Sequence, residues 1–145
     1  MTDLATFIRD NQKERQRLVA FIRSLEEEDF NFELPNGWTV TMALGHLAFW
    51  DLRQLTMLRR WINEKVQPGP LDAEAINEPV SLLAEAISPE SIVNLVLEAA
   101  EAIDQQVEKL TPAQVEELFK MGLERNIHRA LHRRNHLDKI EQALK

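Results

Sequence analysis

The chain contains no cysteine. That absence excludes disulfides, thiolate metal sites and a cysteine nucleophile together, so any sulfur chemistry needs a thiol brought in from outside. Positive charge is also short: 17 Lys and Arg stand against 24 Asp and Glu, a formal net charge of −7. A chain of that sign is a poor clamp for a phosphate backbone, and no nucleic-acid partner is expected. Long apolar runs are missing too. A membrane span needs roughly 20 of them in succession, and "MTDLATFIRDNQKERQ" lacks the apolar core of a signal peptide. The expectation is a cytoplasmic protein with no membrane partner. Glycine and proline are scarce, four and six in 145 residues, and they cluster between long periodic stretches. That distribution argues for helices joined by short loops, and the length for one domain over residues 1–145.

What is present reads as all-α. Leu4, Phe7, Ile8, Leu18, Phe21, Ile22 and Leu25 recur at three- and four-residue steps and predict a first helix over about 3–27. "ELPNGW" breaks it, and Thr39 is placed to cap a second helix over about 40–64, whose stripe is Val40, Leu44, Leu47, Leu55, Leu58, Trp61 and Ile62. "QPGPLDAEAINEPVSLLAEA" is a long crossover with room for one short helix. Ser88 followed by Pro89 opens a third helix, striped by Ile92, Leu95, Val96, Ala99, Ile103, Val107 and Leu110. "TPAQVEELFKMG" is read as a turn, and the last helix as about 123–144. No alternating strand pattern and no internal repeat competes. The pattern predicts a four-helix bundle with a long crossover between its second and third helices.

The histidines carry the chemistry. His128, His132 and His136 follow one another at intervals of four, and His46 stands alone in "MALGHLAFW". Residues four apart share a helix face with Cβ atoms about 6 Å apart, so His132 and His136 can offer two imidazoles to one ion. Leu137, Ile140 and Leu144 mark the buried side of the last helix; His136 lies beside that stripe, His132 further round and His128 furthest. His46 stands in the same relation to Ala43, Leu47 and Trp50. Spacing alone leaves two readings open: a three-histidine metal site between facing helices, or a basic helix surface with histidines that only hydrogen-bond carbonyls.

"NGWTVTMALGHLAFWDLRQLTMLRRW" and "LHRRNHLDKIEQAL" resemble the second and last helices of the DinB-like superfamily, and "LDAEAINEP" is similar to the connecting segment of many members. The resemblance implies a divalent metal, zinc or nickel, held by His46, His132 and His136, and a homodimer, for which "LLAEAI" offers helix surface. It also implies the activity of several relatives, transfer of a low-molecular-weight thiol such as bacillithiol or mycothiol to a small-molecule electrophile. Three neutral imidazoles leave a coordination position open, as in catalytic zinc sites. A non-catalytic metal- or ligand-binding module is the alternative. His128 departs from the pattern as an extra histidine, read here as solvent-facing in preference to a supporting partner or alternative ligand. Asn11, Glu14 and Arg15 interrupt the first apolar stripe, either lining a pocket or forming an internal ion pair. Arg125, Arg129 and Arg133 form a row beside the histidines, read as pairing with acids such as Glu98, Glu101 and Glu108 or facing water in preference to attracting a carboxylate-bearing thiol or substrate. Trp38, Trp50 and Trp61 are read as core residues, with the alternative that Trp50, one turn after His46, walls the pocket.

Overall fold

A computed structural model of the chain describes residues 3–61, 65 and 71–145. Among them are six α-helices: α1 Leu4–Ser24, α2 Val40–Arg60, α3 Ala73–Glu85, α4 Pro89–Glu108, α5 Pro112–Lys120 and α6 Ala130–Leu144. The predicted caps are in place. Thr39 accepts from the Met42 backbone N–H at 3.2 Å, and Ser88 accepts from Ser91 at 3.2 Å with Pro89 in the first turn. Asp3 opens α1 by accepting from Thr6 at 2.8 Å.

Three boundaries differ from the sequence-based reading. The first helix stops at Ser24, and Glu27–Asn31 tightens into a 3-10 turn. "TPAQVEELFKMG" is a helix rather than a turn: Thr111 and Gln114 cap each other reciprocally with Pro112 in the first turn, a strong start for a short helix. Gly122, at φ 69°, then ends it, a backbone conformation that favours glycine. The last helix therefore begins at Ala130, after a 3-10 turn at Glu124–Asn126. The crossover carries α3, the short helix for which it had room. The expected end of the second helix at Ile62–Glu64 and the "QPGP" segment lie outside the described residues.

α2 packs along α4, α1 packs against α6 and α4, and α3 lies on α2. α2 and α3 approach closely at Gly45, where an added Cβ would sit 2.5 Å from the Ala84 Cβ of α3. Two apolar clusters fill the interior, one around Leu18, Leu44, Leu47, Val96, Leu137 and Ile140, the other around Phe7, Leu55, Leu58, Ile103, Val107 and Ile127. On each long helix or at its start, buried polar residues fall at or next to the changeover between the clusters: Asn11 and Glu14, Asp51, Asp104, and Arg133 with Arg129 just before α6. The core is thus crossed by a polar layer. Among the described residues no helix is long and apolar enough to cross a membrane.

Candidate metal centre

His46 sits in the most deeply packed stretch of the chain, where every residue from Val40 to Ala48 is buried. His132 and His136 occupy successive turns of α6 and meet it across the helix interface. The ring centroids of His46–His132, His46–His136 and His132–His136 are 4.9, 4.6 and 4.7 Å apart. One nitrogen from each ring lies within 4.8 Å of the other two, a grouping that can hold a metal ion. The His46 and His132 Nε2 atoms are 3.0 Å apart. Two nitrogen ligands on a tetrahedral ion with bonds of about 2.1 Å would be about 3.4 Å apart, so a few tenths of an ångström of opening converts one arrangement into the other.

The rings are held neutral. Burial, with the Arg129 charge behind it, pushes His46 down to about 4. Burial and then Arg129 push His132 down to about 2. Burial and His46 bring His136 to about 4. Neutral imidazoles have lone pairs to give, and a set of three nitrogens without a carboxylate suits zinc or nickel better than calcium or magnesium. The donor set therefore fits such an ion. The supporting contacts fit less tightly. Among the described residues His46 Nδ1 is buried without a hydrogen-bond partner, and His132 Nδ1 faces the Arg129 guanidinium at 3.4 Å, whereas metal-bound imidazoles usually donate that N–H to an acceptor.

The surroundings are aromatic and cationic. Gly37, at φ 90°, turns the chain so that Trp38 covers His46, with centroids 5.0 Å apart. Trp50 approaches His46 edge-on at 6.4 Å and donates to Asn77 of α3 at 2.9 Å. A cavity of about 520 Å³ opens beside His132, with Trp50, His128 and Arg129 in its wall. His128 is not a solvent-facing spare: its Nε2 lies 2.9 Å from Asp10 Oδ2 and its ring stacks on Phe7 at 4.3 Å.

The remaining candidates belong to the polar layer. Asn11 accepts from the Ala130 N–H and donates to the Ile127 carbonyl, both at 2.8 Å, and so caps the start of α6 in place of Arg129, whose side chain makes no cap. Glu14 accepts from Arg134 and Arg17 at 3.0 and 3.3 Å. Arg15 pairs with Asp104 at 3.2 Å, which realises the internal ion pair. Arg129 and Arg133 pair with Asp51 at 2.8 and 3.2 Å, and Arg133 also with Asp104 at 2.9 Å; their partners are not Glu98, Glu101 or Glu108. Asp51 and Asp104 are the buried charge partners that sequence reasoning passed over. Both carry a readable signal, since each falls in the register of its apolar stripe: Asp51 between Leu47 and Leu55, Asp104 beside Ile103 and Val107.

The sequence profile of the DinB superfamily matches residues 11–135, which run from within α1 past the first of the two α6 histidines. The chain belongs to the DinB superfamily. Comparison with curated proteins and with solved structures found no match. In this DinB-superfamily chain the histidine cluster lies where α2 meets α6.

Proposed function

We propose that this chain is a metal-dependent enzyme in which His46, His132 and His136 hold zinc or nickel and a low-molecular-weight thiol is transferred to a small electrophile. The convergence of three neutral imidazoles on one point carries the reading. An ion held by His46, His132 and His136 would supply Lewis acidity. The protein's own contributions follow from its side chains. Trp38 and the packed α2 segment shield the triad from water. The cavity beside His132 has room for a small molecule against Trp50 and Leu131. His128, aligned by Asp10, is the candidate acceptor for the thiol proton. In the transfer, sulfur forms its bond to the electrophilic carbon while the leaving group departs with its electron pair. The absence of cysteine supports an external thiol such as bacillithiol or mycothiol. Exposed Leu82 and Leu83 on α3 support a homodimer.

The test is metal analysis of protein purified without chelator, then a thiol-transfer assay with a generic electrophile. About one zinc or nickel per chain and turnover lost in His46→Ala is the expected result. Metal bound without turnover would make the chain a non-catalytic binding module.

A further inference from the structure

The cavity beside His132 has an electrostatic character at odds with the rest of the molecule. The chain carries a net charge of −7, yet among the described residues no acidic side chain lines this cavity; Arg125, Arg129, His128, His132 and Asn135 supply its polar wall. In the wall and behind it the charges do not balance. Four guanidinium groups, those of Arg15, Arg125, Arg129 and Arg133, stand against three carboxylates, Asp51 and Asp104 in the network and Asp10 on His128, an excess of one positive charge with Arg129 and Arg133 buried. The histidine triad adds no negative ligand, so a divalent ion there would raise that excess further. Arg125, in the 3-10 turn before α6, is exposed, and its guanidinium makes no ion pair or hydrogen bond among the described residues. A cleft of one sign focuses the field on a ligand of the other sign.

We propose that the substrate of this site carries a carboxylate, docked in the cavity beside His132 with the Arg125 guanidinium as its hydrogen-bonding cation and the Arg129 charge behind it. A planar guanidinium fork matches a carboxylate in geometry as well as charge. Trp50 and Leu131 would lie along the apolar part of the molecule. The proposal names the substrate class of the enzyme argued above and rests on that reading for the chemistry, but the docking step can be tested apart from it.

Zinc-loaded and metal-free protein are titrated calorimetrically with succinate and with its neutral analogue succinamide, for the wild type and Arg125→Ala. Arg125 is exposed and unpaired, so the variant is expected to fold and to keep the zinc content of the wild type. The expected result is succinate binding that weakens roughly tenfold in Arg125→Ala, the effect of losing one charge-assisted hydrogen bond, with succinamide binding far more weakly than succinate. Equal succinate affinity in both proteins, succinamide binding as tightly as succinate, or no succinate binding at millimolar concentration in either form would overturn the proposal. Arg125-dependent succinate binding in a protein that takes up no zinc would instead sink the metal reading and leave the anion site standing.

Discussion

Asp51 bears more of the fold than its distance from the chain ends suggests. Its two oxygens accept from Arg129 Nε at 2.8 Å and Arg133 at 3.2 Å, and all three side chains are at most 6% exposed. Asp51→Ala would leave Asp104 alone to answer the buried guanidinium groups. Removing one partner from a buried ion pair costs about 3–5 kcal/mol, because the other charge is stranded without water. For a domain of this size each kcal/mol moves the melting temperature by about 3 °C, so the variant should melt about 10–15 °C below the wild type. The exposed pair Arg17–Asp138 provides the contrast. It is as short, 2.7 Å, but Asp138 is 61% exposed, and Asp138→Ala should cost under about 1 kcal/mol. Burial, not bond length, sets the difference. Adding Arg129→Met to Asp51→Ala should return part of the loss by removing a stranded charge. Urea denaturation of the four proteins is the assay. A cost below about 1 kcal/mol for Asp51→Ala, or a further loss with Arg129→Met, would refute the reasoning.

Three other perturbations have definite signs. The metal-free protein should lose stability as the pH falls from about 6.5 toward 4: the unfolded chain takes up protons on its histidines first, while burial holds His46 and His136 down to about 4. His46 alone contributes on the order of 3 kcal/mol by the low end of that window, and urea midpoints across pH should be flatter in His46→Ala. Gly45→Ala brings a Cβ within 2.5 Å of Ala84 and should cost about 1–3 kcal/mol through displacement of α3; Ala84→Gly should be less damaging in that background than in the wild type, as a double-mutant cycle would show. Asn11→Ala strands the Ala130 N–H and the Ile127 carbonyl and should cost about 2–4 kcal/mol, with amide exchange accelerated most at the start of α6.

The long helices were legible because their apolar residues repeat at the helical period and their starts carry Thr39 and Ser88. The histidine grouping was legible from a pair one turn apart on one helix, a third at the edge of another stripe, and the family resemblance. α5 was not, since nine residues hold too few turns for a period to stand out from a turn-forming "TPAQ" start. The charge network was missed for a different reason. An acid within an apolar stripe reads as an interruption of one helix, and its partner sits 78 or more residues away for Arg129 and Arg133 on Asp51. The Asp10–His128 contact spans 118 residues, and His128 precedes α6 rather than lying on it, so the histidine spacing of the last helix could not place it. Local period reports which side of a helix is buried; it does not report what the facing helix brings.

The most direct test of the central claim is zinc titration of the chelator-treated wild type and of the His46→Ala, His132→Ala and His136→Ala variants, followed by metal analysis and circular dichroism. The account predicts one tightly held ion per wild-type chain, at least tenfold weaker binding in each variant, and helical spectra that do not change. Zinc held equally well by all four proteins, or by none of them, would contradict it.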